Sequence, residues 1–483
     1  MRVLLWKKIY IILVGLLLVF PVASATNNWI RDEQGRVIIL HGVNISNVAK
    51  HTDDHTSWQT FDDYERLSRE WGFNVIRYLI FWSAIEPEPG VFNETYLDKV
   101  EERLKWAESL GIYVILDMHQ DVYGEKFGGD GAPIWATYDD GIPFIYIIPL
   151  WLNYAQPAVR RAITNFWTST ELREHFFSTW VHVVQRFKNN TAILGYNLFN
   201  EPSFGNIPPG LFEKYVLTDF YLELISELKK IDPNRLYFYE PQIATSSDWN
   251  AKSHLGKIPE ENLVYSPHYY IPWVLKAYIY FGFPFLLEKV LANRKAEAEM
   301  AGVPWILAEF GLSDNTIGLD QYLINILTLL NQYMTGWICW SYDYESDTPL
   351  GIIDDYGNEN AQLNYLIYPY PQKIAGDPVT FFYSFENKSC YIEFVENTSV
   401  RGPTEIYVGQ SRVHPKGFSV ICSDPDETWH WEYEPSLDIV KVWTNPNVEN
   451  HRISITSYEE KDIKPENPQS NPFTFIFNLF SLN

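Results

Sequence analysis

The chain is predicted to be an α/β protein, a (β/α)8 TIM barrel followed by a C-terminal all-β sandwich. Three observations lead there. Between about Asn28 and Tyr370, eight short apolar runs alternate with helix-like, amphipathic stretches. Two of those runs end in a glutamate followed by Pro or Phe-Gly: Ile193-Leu194-Gly195-Tyr196-Asn197-Leu198-Phe199-Asn200-Glu201-Pro202 and Trp305-Ile306-Leu307-Ala308-Glu309-Phe310-Gly311. After Pro369-Tyr370-Pro371 the pattern changes to short alternating runs parted by turn residues, as in a sandwich.

In chain order, residues 1–25 read as a signal peptide. Arg2, Lys7 and Lys8 form a basic start, Ile9–Val22 an apolar core, and Ala23-Ser24-Ala25 a small-residue cleavage site. An uncleaved membrane anchor is the other reading of this pattern. The expected location is secreted or extracellular, with membrane association the variant.

Residues 26–371 form the expected barrel. Its strands are read as Val37–Asn44, Val75–Phe81, Tyr113–Met118, Ala192–Asn200, Leu236–Glu240, Leu263–Pro267, Trp305–Glu309 and Gly336–Ser341. Helix-like segments between them include Tyr96–Leu110, Glu171–Phe187, Leu211–Ile231 and Leu319–Tyr333. A doubly wound open sheet is the rival, but no Gly-rich phosphate fingerprint follows any strand. Residues 372–461 form the expected sandwich, with strands at Thr380–Tyr383, Cys390–Val395, Thr404–Val408, Gly417–Cys422, Trp429–Tyr433 and Ile439–Trp443. Residues 462–483, with Pro465, Pro468 and Pro472, read as an irregular tail, and the Phe473–Leu482 run is too short to span a bilayer.

The formal charge is −24, and −27 without the three N-terminal cations. Such an acidic surface argues against nucleic acid and against simple adsorption to anionic membranes. Aromatic residues make up 16% of the chain, with 18 Trp, enough to supply sugar-stacking platforms beyond core packing. Three cysteines at no metal-ligand spacing exclude a disulfide scaffold and a zinc site. Cys390 and Cys422 fall in one segment, where a disulfide and two free thiols are both open; Cys339 reads as a buried thiol.

The strand ends carry the chemistry. In a parallel barrel the strand C-termini converge on one face, where catalytic groups gather. Two carboxylates there supply what glycoside hydrolysis needs, a proton donor and a nucleophile or base. Glu201 is the candidate acid/base and Glu309 the candidate nucleophile. Asn200 can bond a sugar 2-hydroxyl; Tyr270 is a candidate donor to Glu309, and His268 can orient Glu201. In Leu116-Asp117-Met118-His119-Gln120-Asp121, alternation puts Asp117, His119 and Asp121 on one side. Both metal binding and sugar-hydroxyl recognition use such groups, and recognition of sugar is preferred. Arg77 is expected to be buried, holding a carboxylate in register. Trp340 is placed as the floor of a sugar subsite and Trp337 as packing.

The order Arg77, His119, Asn200-Glu201, His268 and Tyr270, Glu309, Trp340 resembles glycoside hydrolase family 5, whose members are retaining enzymes with a (β/α)8 barrel. Within it the chain is similar to the endoglycoceramidase group. The likeness lies in His41–Asn44 with Lys50, in Asp-Met-His-Gln-Asp, in Gly129–Ala136, and in a C-terminal β-sandwich. The resemblance implies that Lys50 and Asp117 contact glucose hydroxyls, and that the two catalytic carboxylates stand about 5–5.5 Å apart.

Two apolar segments at the expected catalytic face, Phe144–Trp151 and Ile271–Leu291, have two readings: a groove or membrane-dipping surface for a lipid, or buried packing. The expected function is therefore a secreted retaining β-glycosidase cleaving between sugar and lipid in glycolipids. An endo-β-1,4-glucanase or alkyl-glucosidase on soluble substrates is the alternative. A non-catalytic carbohydrate- or lipid-binding protein is the remote one. No cofactor or metal is expected. Expected partners are a glycolipid or β-glucoside and a membrane or micelle surface, with no nucleic acid.

Overall fold

The computed structural model describes residues 23–25, 29–247 and 251–458. The apolar core of the predicted signal peptide and the tail at 462–483 lie outside the described residues.

Eight parallel strands run in ring order: His41–Ile45, Val75–Phe81, Tyr113–His119, Ile193–Asn197, Leu236–Tyr239, Leu263–Tyr265, Ile306–Leu307 and Gly336–Cys339. The eighth pairs with the first through Trp337 and His41. Between the sixth and seventh, pairing narrows to two bridges, Tyr265 with Trp305 and His268 with Glu309. Each of the eight predicted runs contributes a strand to the ring. Because helices cover the outside and side chains fill the inside, these strands are apolar on both faces, which is why they read as continuous runs.

Inside the ring, Val75, Ile115, Leu194, Leu236, Phe238, Val264, Ile306 and Ile338 form one packed apolar cluster. One alternation step further along the strands the interior turns polar. Val75 leads to Arg77, Ile115 to Asp117 and His119, and Phe238 to Glu240. Val264 leads to Ser266 and His268, and Ile338 to Trp340. The apolar cluster is the plug on which the polar cluster stands. Gly42 serves the same closure, since a Cβ there would lie 1.8 Å from the Val75 carbonyl oxygen.

The helix Glu94–Leu110 begins and ends where the sequence marks it. Asn93 caps Glu94–Leu110 by accepting from the Tyr96 N–H (3.1 Å), and Gly111 ends it with φ 69°.

Two readings are corrected and one open alternative is decided. The run Val37–Asn44 is not one strand: Val37–Ile38 leaves the barrel and pairs with Lys373–Ile374, and only His41–Ile45 enters the ring. With Ala23–Ala25 and Ile30–Asp32, that segment extends the larger sandwich sheet to seven strands, so the sandwich is built from both ends of the chain. The smaller, four-stranded sheet contains Asn450–Ser457, which was not predicted because it opens on Asn-His-Arg; His451, Ile453 and Ile455 nevertheless alternate inward. Finally, Cys390 and Cys422 are free. They lie on strands flanking Asn450–Ser457, opposite Ile455 and Ile453. Two strand spacings, roughly 9–10 Å, exceed the ~7 Å reach of a disulfide. Cys339 is buried as expected, which pushes its thiol up to about 12.

The sandwich is fastened to the barrel by Tyr370 and Gln372, which donate to the Gly72 carbonyl (2.8 and 3.0 Å), and by Tyr407, which donates to that of Glu70 (3.1 Å).

Candidate active site

Arg77, wholly buried within the second strand, organises the floor. Its Nη1 donates to Glu309 Oε1 (2.6 Å) and Asn44 Oδ1 (3.0 Å), and its Nε to Asn197 Oδ1 (2.8 Å). Its Nη2 donates to Asn200 Oδ1 (2.8 Å) and Glu240 Oε1 (3.1 Å), and is ion-paired with Asp117 (2.8 Å). Five barrel strands or their ends thereby share one guanidinium, which fixes the angle at which each side chain rises into the site. Asn200 also donates to the Gln120 carbonyl (3.0 Å), so its amide orientation is set from both sides.

Glu309 accepts at its other oxygen from the Tyr270 hydroxyl (2.8 Å). Across the site, Glu201 Oε1 meets His268 Nδ1 at 3.0 Å, and His268 Nε2 stands 3.3 Å from Glu240. A carboxylate oxygen of Glu201 and one of Glu309 lie within 4.8 Å of each other. That is close enough for a glycosidase in which the second carboxylate attacks directly.

Glu201 occupies the left-handed region at φ 41°, a conformation that costs a non-glycine residue about 1–3 kcal/mol. Its own backbone compensates: the N–H donates to Glu240 Oε2 (2.8 Å) and the carbonyl accepts from Gln120 Nε2 (3.0 Å). The turn aims the carboxyl at Glu309 instead of along the chain. Burial holds that carboxyl above the ordinary glutamate range, with the His268 contact opposing and the Glu309 charge adding. His268 is itself disfavoured as a cation by burial, but Glu240 and Glu309 outweigh this and carry it up to about 10. Burial would also raise Glu240; the His268 and Arg77 charges overcome it and leave Glu240 below its usual range.

A second group lines the wall toward the third strand. Asp117 accepts from His119 Nδ1 (2.6 Å), whose Nε2 lies 3.8 Å from Asp121. Lys50 Nζ pairs with Asp121 (2.6 Å) and sits 4.2 Å above the Trp340 ring, which stacks on His119 at 5.6 Å. The predicted alternation of Asp117, His119 and Asp121 is therefore observed. Asp117, however, is completely buried and spends its oxygens on Arg77 and His119. Asp117 thus stands beneath His119 and supports that ring. His119, Asp121 and Asp130 also stand close enough to share an ion, but Lys50 already supplies positive charge to that group.

All the sequence-predicted site residues converge here: Lys50, Arg77, Asp117, His119, Asp121, Asn200, Glu201, His268, Tyr270, Glu309 and Trp340. Trp337 lies outside the site, stacked on His41 at 4.4 Å. Glu240 was missed as a site residue. Its signal was present, since Tyr239-Glu240-Pro241 closes the fifth strand as Asn200-Glu201-Pro202 closes the fourth. Asn44 and Asn197 were also missed, and nothing in their local sequence announces that both accept from Arg77.

The profile for Cellulase (glycosyl hydrolase family 5) matches residues 32–346. The chain belongs to glycosyl hydrolase family 5. Residues 369–455 match the Glycoside hydrolase family 5 C-terminal domain. This family 5 enzyme is 26% identical over 421 residues to Endoglycoceramidase I of Rhodococcus hoagii, covering 80% of each chain. It is 24% identical over 499 residues to the Endoglycoceramidase of Hydra vulgaris, covering 92% of each. Endo-glycoceramidase II from Rhodococcus sp., solved as its ganglioside GM3 complex, superposes with a TM-score of 0.83 at 29% identity, covering 89% of this chain and all of that one. The same Rhodococcus protein solved as a lactosyl-enzyme intermediate gives 0.81 at 30% identity, with the same coverage. The family 5 enzyme is thus a retaining glycoside hydrolase of the endoglycoceramidase-like group, as its carboxylate spacing also indicates.

The two apolar segments are partly packed and partly bare. In the first, Phe144 packs on Phe127 at 5.0 Å, and buried Asn153 braces the turn through the Ile147 and Leu150 carbonyls (2.8 Å each). Ile145, Tyr146, Ile148 and Trp151 are left more than half exposed. In the second, Tyr280 and Leu287 are buried while Phe281, Phe283 and Phe285 form an exposed file of rings. Neither the packing reading nor the surface reading is complete by itself; each segment has one face of each kind.

Proposed function

We propose that this family 5 enzyme hydrolyses the β-glycosidic bond between the reducing-end sugar and the lipid of a glycolipid, by double displacement. The paired carboxylates of Glu201 and Glu309 within 4.8 Å carry the reading. Glu309, oriented by Arg77 and Tyr270, attacks the anomeric carbon while Glu201 protonates the departing oxygen, leaving a glycosyl ester on Glu309 and a lipid alcohol. Glu201, now ionised, then takes a proton from water as it attacks the same carbon, which regenerates both carboxyl states. Asn200 bonds the 2-hydroxyl, while Lys50, His119, Asp121 and Trp340 bind the sugar around that carbon.

The lipid assignment rests on two supports. The relatives named above are endoglycoceramidases, one of them solved with a ganglioside. The exposed apolar side chains follow the third and sixth strands, at the catalytic end of the barrel. Residues 142–156 and 277–287 contain no charged residue, in a chain of net charge −24. This suits contact with the apolar part of a membrane or micelle and not with its charged headgroups. Among the described residues no helix is long and apolar enough to cross a membrane. We extend the proposal to location: the basic, apolar and small-residue order of residues 1–25 directs the chain out of the cytoplasm, which N-terminal sequencing of the protein from its producing cells and medium tests.

Mass-spectrometric product analysis with lactosylceramide, glucosylceramide and cellopentaose tests the activity. Intact lactose plus ceramide is the expected result. Cleavage of cellopentaose alone would replace it with the glucanase reading, which the Cellulase profile favours.

A further inference from the structure

A buried carboxylate outside the catalytic pair joins the two walls of the sugar site. Asp343, four residues past the end of the eighth strand, is fully buried, yet it touches neither catalytic glutamate. Its Oδ2 accepts from the Ser341 hydroxyl (2.6 Å) and the Asn47 N–H (2.8 Å). Its Oδ1 accepts from the Ser46 hydroxyl and, at 3.4 Å, from the Val48 N–H. Asn47 and Val48 open the short helical turn Asn47–Lys50, whose own preceding residue, Ser46, provides no side-chain cap. The orphan N–H groups of that turn are thus satisfied from a segment some 300 residues away in sequence.

The two segments so joined each deliver one member of the same contact. The turn ends in Lys50, and Ser341 directly follows Trp340. Lys50 Nζ stands over the Trp340 ring at 4.2 Å and reaches Asp121 at 2.6 Å. Glu201 and Glu309, by contrast, are held by Arg77, Tyr270, His268 and Glu240, none of which bonds Asp343.

We propose that Asp343 is a positioning residue for glycone recognition: as a cap supplied across the barrel, it holds Lys50 over Trp340 and against Asp121. The proposal rests on the glycosidase reading of the site but not on the identity of the aglycone. An Asn at 343 keeps one acceptor oxygen and turns an NH2 group on two donors, so the turn loosens while the side-chain volume stays. The sugar wall moves, and the catalytic pair does not.

The test is a double-mutant cycle of Asp343→Asn and Lys50→Ala. Its readout is trapping by an activated 2-deoxy-2-fluoro-β-glucoside, with the inactivator's dissociation constant separated from the trapping rate constant. Thermal unfolding is measured alongside. Asp343→Asn is expected to weaken glycone binding by about 10-fold with the trapping rate constant changed by less than about 3-fold. In the double variant the loss should fall well short of the product of the two single losses, because both act through Lys50. Unchanged binding, or losses that multiply, would overturn the proposal, since a residue that only stabilises the fold lowers the active fraction and leaves the dissociation constant alone. If Asp343→Asn does not fold, Ser46→Ala and Ser341→Ala each remove one donor to Asp343 and enter the same cycle. Wild-type trapping with no cleavage of lactosylceramide would sink the proposed substrate and leave this test intact.

Discussion

Arg77 and Glu309 meet at 2.6 Å in the floor of the barrel, Arg77 fully buried and the Glu309 side chain only 6% exposed. One guanidinium nitrogen fixes one carboxylate oxygen, while Tyr270 fixes the other. Glu309 can therefore present itself to an anomeric carbon in one orientation only. The same guanidinium holds Asn200, so the nucleophile and the group beside the acid are set from a single buried charge. An ion pair of this kind is costly to halve, because the partner left behind stays buried and uncompensated.

Glu309→Gln should abolish turnover on every β-glucoside with the fold intact. Gln is isosteric and still accepts from Arg77, but it cannot form the glycosyl ester. Loss of about 10^4-fold or more in kcat, equivalent to over 5 kcal/mol of transition-state stabilisation, is expected with an unchanged circular-dichroism spectrum. Residual activity of a few per cent would remove Glu309 from its role.

Tyr270→Phe should leave Glu309 in place but lose the donor to its second oxygen. A fall of roughly 100-fold in kcat, with KM little changed, is expected for loss of one preorganised hydrogen bond at a reacting carboxylate. Steady-state kinetics on an aryl β-lactoside decide it; a rise in KM alone would make Tyr270 a sugar ligand instead.

The alkaline limb of the pH profile should report Glu201, which must be protonated when the leaving oxygen departs. His268 favours the ionised form of Glu201, so removing its charge raises the Glu201 carboxyl further. His268→Gln should therefore move the alkaline limb of kcat/KM to higher pH while lowering the maximum. A limb that stays still, or moves to lower pH, would show that another group governs it.

Much of this site could be read before the fold. Glu201 and Glu309 stand out because each closes an apolar run, and Arg77 because a lone charge sits inside one. Side was legible as well: strand alternation put Asp117, His119 and Asp121 together. Depth was not. Whether Asp117 or Asp121 reaches the pocket depends on where the barrel's apolar cluster ends, and that level is set by eight strands jointly. Partners distant in sequence were equally hidden. Val37–Ile38 joins the sandwich because Lys373–Ile374 lies beside it, and Asp343 caps the turn at Asn47, pairings that no local pattern encodes. The left-handed turn at Glu201 is stabilised by Glu240 and Gln120, from two other strands.

Asp130 gives a stability prediction with a definite sign. Its carboxyl is completely buried and neither oxygen has a hydrogen-bond partner. Burial first, then the neighbouring Asp121 charge, push it up to about 7. An Asp in the unfolded chain ionises near 4, so between about pH 4 and 7 the folded state binds the extra proton and stability falls as pH rises. Asp130→Asn removes this dependence. It should raise the melting temperature at pH 8 by about 2 °C or more, with the gain shrinking toward zero at pH 4. An equal shift at both pH values would mean that packing, not charge, is responsible.

The exposed apolar loops should separate membrane-held from dispersed substrate. Ile145, Ile148 and Trp151 project from a turn braced by Asn153, so replacing all three by Ser leaves the brace and the catalytic floor untouched. Each of these side chains in a lipid interface is worth on the order of 1 kcal/mol or more by area removed from water. The triple variant should lose at least about 10-fold in kcat/KM on lactosylceramide in neutral phosphatidylcholine vesicles, with vesicle co-sedimentation reduced in step. On a water-soluble aryl β-lactoside the same variant should match wild type within about 2-fold. Parallel losses on both substrates would place these residues in the packing of the site; no loss on either would leave the Phe281, Phe283 and Phe285 file as the lipid contact, to be tested by the same pair of assays.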